Sequence, residues 1–235
     1  MHARTRPLYP RAAFWFLLVL GTALIGFWGT YFTRLADNNG IRHAHAATAF
    51  AWVLLLVTQA WLMRRRNFTV HRALGRTSLL LAPLFVVTGL FLVQDMLAHP
   101  SPFAQAFGVR LAFLDLTSLA WFAIAYSLAL RHRRETPLHA RYMASTALLV
   151  LPPALTRALG MNIPAITSFE MALHSAYFVT GFLLAAMLLH DVRSEGRVRA
   201  PYALLLGLTV LQQIAFVVLP DVPAWTRFCG WIAGL

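Results

Sequence analysis

Histidine is the side chain in this 235-residue sequence best able to do chemistry, and five of its nine positions form two groups. His43 and His45 stand at the start of one apolar run, and His174 lies inside another. His71 and His139 each stand just before a run. A neutral imidazole binds haem iron, zinc, copper or non-haem iron. His45 and His174 are therefore candidate haem or metal ligands, with Asp115 and Gln212 completing a polar set of two imidazoles, a carboxylate and an amide. His71 and His139 form a second candidate cluster. On a helix, residues i and i+2 point about 200° apart. Only one of His43 and His45 can then face inward, and His45 is the deeper. Other chemistries are excluded by what is missing. All 20 basic side chains are Arg, so there is no Lys for a retinal Schiff base. The single Cys229 permits neither an intrachain disulfide nor a CxxC site. No GxSxG, HExxH, Walker loop or Rossmann fingerprint is present.

The elements that must position these residues are membrane helices. Apolar residues make up 59% of the chain and charged residues 12%, far from the balance of soluble domains. Seven apolar runs meet or approach the roughly 20 residues that a bilayer core requires: 12–32, 44–63, 77–97, 109–130, 142–159, 169–189 and 201–219. The fifth carries Pro152-Pro153. The segments between them are short, so the expected fold is all-α: a single transmembrane domain over residues 1–235. Alternating the runs places 15 Arg at one end and Arg34, Arg42, Arg110, Arg157 and Arg227 at the other. The positive-inside rule then predicts seven transmembrane helices, N-in and C-out, in a bacterial inner membrane. Trp28, Trp61, Trp225, Trp231, Tyr9, Tyr31 and Tyr202 fall near run ends, as an interfacial aromatic belt would. The net charge of +12 is read as topology signal and lipid-phosphate contact rather than nucleic-acid binding.

Ionisable groups in a membrane helix are expensive and mark function by default. At 1.5 Å per residue, Asp115 lies roughly 9 Å, His174 roughly 8 Å and Gln212-Gln213 roughly 10 Å from the periplasmic ends of their runs. These groups share one layer, which suggests a polar pocket opening to the periplasm. The plainer explanations are snorkelling or capping for His43, Asp95, Glu170 and Arg157, and a buried His174–Asp115 hydrogen bond without any ligand. At the cytoplasmic face Arg141 is expected to contact lipid phosphate, Gly75 to supply a tight turn, and a histidine to cap a helix or pair with Asp191.

The motif order His43-x-His45, His71-Arg72-x-Leu74-Gly75, Pro137-Leu138-His139-x-Arg141-x-Met143, then Asp191 with Gly196-Arg197-Val198, and finally Pro223-Ala224-Trp225, resembles a widespread uncharacterised family of small bacterial inner-membrane proteins. That likeness covers the chain from about Arg42 onward. It implies fold and topology and no chemistry. The sequence departs from it at 197–201, where relatives often carry His. A looser likeness to b-type transmembrane cytochromes lies in histidines near both faces, and implies haem b. Three functions follow as expectations. One is haem-binding electron transfer with a quinone or other redox partner. A second is a periplasm-facing protein that binds or transports a small solute or transition-metal ion, with His45 and His174 as the metal ligands; no pair of broken helices in repeats is read for it. The third is a non-catalytic subunit of a membrane assembly, with no cofactor. The lipid bilayer is the common partner.

Overall fold

The computed structural model describes residues 11–235, and the expectations placed on Arg4, Arg6 and Tyr9 lie outside them. Among the described residues the secondary structure is helical throughout: α1 (Ala12–Trp28), α2 (Gly40–Arg64), α3 (Phe68–Gly75), α4 (Ser78–Ala98), α5 (Pro102–Arg131), α6 (Thr136–Leu148), α7 (Leu151–Asn162), α8 (Phe169–Glu195), α9 (Ala200–Val218) and α10 (Pro223–Ala233). Six helical stretches are long and apolar enough to cross a membrane: α2, α3 with α4, α5, α6 with α7, α8, and α9 with its 3₁₀ extension. The first run gives a shorter apolar helix of 17 residues, α1. Its exposed surface is Phe14, Trp15, Leu17, Leu18, Leu24, Ile25 and Trp28, the face that a helix shows to lipid rather than to water. Side-chain caps fix several helix starts. Asn39, Asn67, Ser101 and Ser168 each accept a hydrogen bond from the backbone N–H three residues on. At the end of α8, Gly196 takes a left-handed φ of 68° that a side chain would resist.

The helices close into a ring. α1 packs on α2, α2 on α4, α4 on α5, α5 on α9, α9 on α8, α8 on α7, and α7 on α1. The fifth apolar run does not form the one helix expected of it. It starts earlier, at Thr136, and breaks at Leu149-Val150 into α6 and α7. Pro152 and Pro153 lack the N–H groups that would bond the carbonyls of Leu148 and Leu149, so α6 cannot run on, while proline suits the first turn of the new helix α7.

The two pieces go to different places. α6 packs against α1, α2, α5 and α9, and Arg141 ties it to α8. Every residue from 137 to 152 is buried or half-buried, so α6 is a central plug with no lipid face. Small and hydroxyl side chains such as Ser145, Thr146 and Ala147, all at most 1% exposed, allow that close approach. The Trp52 indole N–H donates to the Thr146 hydroxyl at 3.1 Å. α7 instead packs mainly between α1 and α8 in the wall. At Gly26 the α1 backbone meets the α7 backbone so closely that a Cβ would overlap the Ala154 carbonyl. The ring therefore has a filled centre at its Arg-rich end, and at its Arg-poor end the fifth span has moved out of the centre. The sequence reading did not foresee α10, which packs back on α4 and α5 with the Trp225 indole N–H bonded to the Val109 carbonyl at 2.8 Å. Tyr202, in the first turn of α9, does not face outward as a belt residue would; it is 1% exposed and part of the core.

Candidate functional site

At the Arg-poor end the decisive residue is Asp115 on α5. Residues at i, i+4, i+7 and i+11 share a helix face. The stripe through Asp115 is Gly108, Ala112, Leu119, Phe122 and Tyr126, and every one of those is buried. Asp115 alone in that stripe is exposed. A carboxylate exposed in the middle of a buried arc, flanked by buried residues above and below, opens on accessible space at this end of the bundle. His45 holds the equivalent position on α2. It shares the stripe of Trp52, Leu56 and Gln59, all buried, and is itself only half-buried. Arg157 on α7 and Tyr177 on α8 complete the surroundings, each within electrostatic range of the Asp115 carboxylate. The Arg157 guanidinium donates to the Pro153 carbonyl at 2.9 Å and sits 4.7 Å from the Phe27 ring centre. It makes no ion pair with Asp115. Below lies an apolar floor, where Phe122 packs on Trp52 at 4.8 Å and on Phe85 at 4.5 Å.

The other predicted residues of this layer do not join that space. The Gln212 amide, 3% exposed, donates to the Leu114 carbonyl at 3.0 Å, Thr117 at 2.9 Å and Ser118 at 3.0 Å, and accepts from the Tyr177 hydroxyl at 3.2 Å. It holds α9 to α5 and α8. His174 bonds Gln213 through Nδ1 at 2.7 Å, not Asp115. One turn along its face is Phe178, 71% exposed, so His174 sits on the α8–α9 seam and not on the inward arc. His45 Nδ1 meets the Thr88 hydroxyl at 3.3 Å, and its ring stacks on Phe85 at 5.0 Å. Asp95 belongs to the rim. It accepts from Asn39 Nδ2 at 3.1 Å and lies 3.7 Å from Arg42 and 3.6 Å from His99. His43 accepts from or donates to the Tyr31 hydroxyl at 2.8 Å. Among the described residues no three His, Cys, Asp or Glu side chains group as a metal site.

The Arg-rich end differs from expectation at Arg141. It is 1% exposed and reaches no headgroup. Nε and Nη2 donate to the two Asp191 oxygens at 2.8 and 2.7 Å, Nη1 donates to the Pro137 carbonyl at 3.0 Å, and Nη2 also meets Glu195. Asp191 is 0% exposed. A fully buried carboxylate needs a charged, bidentate partner, and from α6 only Arg has the length and the fork. Arg199 adds a second cation on Glu195.

Beside this seal lies the second histidine cluster. The His139 Nδ1–H donates to the Ala129 carbonyl at 2.8 Å, which leaves Nε2 with its lone pair. His71 on α3 is within electrostatic range of His139, and among the described residues its buried Nδ1 has no partner. Gln59 on α2 is 9% exposed, and neither its Oε1 nor its Nε2 has a partner there. A buried polar group left without a bond costs about 1–3 kcal/mol, so two on adjacent elements are conspicuous. Gly75 lies in the tight turn from α3 into α4, where the Thr77 N–H donates to the Leu74 carbonyl at 3.1 Å, without a positive φ. A Cβ at Gly75 would lie 3.6 Å from Gln59 Nε2, so α3 ends against that amide. Sequence reading named both histidines and missed Gln59. A glutamine at 59, five residues before Arg64, reads as an end-of-run residue, and only the packing of α3 over it reveals its burial. Compared with family models, with curated proteins and with solved structures, the chain matches none of them.

Proposed function

We propose that this is a seven-span membrane protein, with its N-terminus cytoplasmic and its C-terminus outside, that binds a small polar solute from the outer face for transport or sensing. One observation carries the reading: Asp115 is exposed at the centre of an otherwise buried arc. An ionised side chain inside a membrane bundle is retained where it faces a partner or a water-filled cavity. Asp115 has the opposed charge of Arg157 within range but not in contact, so a solute with an ammonium group, or with both an ammonium and a carboxylate, fits between them. His45 adds a neutral donor or acceptor on the facing helix.

The orientation rests on the Arg distribution. Reporter fusions at Gly40 and Ser194 are expected to read periplasmic and cytoplasmic, and the reverse reading overturns it. For binding, the purified protein is tested for thermal stabilisation by amino acids, amines and carboxylates, alongside Asp115→Asn. The expected result is an ammonium-bearing stabiliser whose effect disappears in the variant. Stabilisers that act equally on both proteins defeat the proposal.

Electron transfer through haem b is a second reading, supported by one feature. His45 borders the Asp115 space and engages Thr88 through Nδ1, which leaves Nε2 as a coordinating atom, whereas His174 is turned to the α8–α9 seam. A reduced-minus-oxidised spectrum with a Soret band that is lost in His45→Ala selects it.

A further inference from the structure

We infer that His71, His139 and Gln59 form a binding site for a transition-metal ion at the Arg-rich end of the bundle, separate from the Asp115 space. Three elements converge there. α6 supplies His139, whose Nδ1–H is fixed on the Ala129 carbonyl. That bond selects the tautomer and orients Nε2 as a ligand, as a backbone carbonyl does behind many metal-bound histidines. α3 supplies His71, whose ring lies within hydrogen-bond reach of the Gln59 backbone while its buried Nδ1 has no partner among the described residues. α2 supplies Gln59, more than nine-tenths buried, whose amide has neither end bonded among the described residues. Buried amides and imidazoles are almost always satisfied. Here one cation accounts for Gln59 Oε1, His71 Nδ1 and His139 Nε2 together.

The donor set selects the ion. Two neutral imidazoles and an amide oxygen bring no negative charge, and Arg72 stands within electrostatic range of His71. Calcium and magnesium depend on carboxylates and charge and gain nothing here. A borderline ion that bonds strongly to imidazole, of the zinc, copper or nickel class, fits, with water completing the coordination. Fold placement gives the site a consequence. The ion would clasp α3 and α2 to the central plug α6 beside the Arg141–Asp191 pair, at the membrane surface where α3 joins α4.

The test uses the full chain in detergent, freed of metal by chelator and dialysed against cobalt(II) or zinc chloride. Elemental analysis is expected to find one equivalent bound, and cobalt to give visible d–d bands. His71→Ala and His139→Ala each lose the bands and weaken binding at least about tenfold, the scale on which even the partners behind metal ligands count. His45→Ala and His174→Ala keep both. His71→Cys guards against a variant that merely fails to fold: it should retain cobalt and add a sulfur-to-cobalt charge-transfer band. Absence of stoichiometric metal in the parent protein, or retention of metal in both alanine variants, or a haem spectrum lost with His71→Ala, would overturn the assignment.

Discussion

At the Arg-rich end Arg141 and Asp191 meet in a bidentate pair, 1% and 0% exposed, with the Pro137 carbonyl and Glu195 taking further donors. At the Arg-poor end Asp115 and Arg157 lie within electrostatic range of each other and do not pair, and Asp115 is exposed. One helical span causes the difference. Its first half, α6, fills the centre and brings Arg141 to Asp191. Its second half, α7, stands in the wall and holds Arg157 back. Opposite charges in contact without water form a seal, whereas opposite charges held apart across an accessible space can receive something else. The same residue types thus form a buried pair at one end and stay apart at the other.

The largest effect is expected where the pair is dry. Arg141→Ala strands the Asp191 carboxylate and should lower stability by about 3–5 kcal/mol, measured by thermal unfolding in detergent. The double replacement Arg141→Met with Asp191→Leu should recover most of that loss. A single variant as stable as the parent would break the contrast.

Next comes the wall position of α7. Gly26→Leu drives a side chain into the Ala154 carbonyl and should cost about 1–3 kcal/mol, the range for overpacking. If α7 is displaced inward, a cysteine at position 115 should lose reactivity toward a membrane-impermeant maleimide. In an otherwise unaltered chain Asp115→Cys should label and Phe122→Cys should not. Labelling at both positions would mean that the space has no floor.

Gln212→Leu tests whether this glutamine is a brace rather than a ligand. It deprives Thr117, Ser118 and Tyr177 of a shared partner and should cost about 1–3 kcal/mol. Solute binding that vanished with the fold intact would make it part of the binding site instead.

Asp115→Asn should change stability by no more than about 0.5 kcal/mol, as at accessible positions that anchor nothing. A loss on the scale of Arg141→Ala would show that Asp115 is a sealed charge after all, and the two ends would then be alike.

The sequence by itself determined the membrane-type helical bundle, because the hydrophobic runs and the scarcity of charge are local properties. Its Arg distribution, 15 against 5, divided the two ends before any helix was packed. It also named Asp115, His45, His71 and His139, since a titratable group in or beside an apolar run is visible without knowing its neighbours. Pro152-Pro153 was legible as an irregularity, though not its outcome, because a proline pair forbids continuation without saying where each half goes. Only the tertiary structure decided that α6 enters the centre and α7 the wall. That choice depends on side-chain volumes on five surrounding helices at once. Partnership was equally out of reach. Arg141 sits beside a run end like the arginines that meet lipid, and its burial follows from Asp191, 50 residues away. His174 is apolar-flanked in sequence, yet the rotation of α8 turns it to Gln213 on the seam. Gln59 is unremarkable in sequence until α3 folds over it. Hydrophobic pattern fixes which segments enter the membrane, since each transfers independently. Which polar groups meet there is a property of pairs distant in sequence, and only packing brings those pairs together.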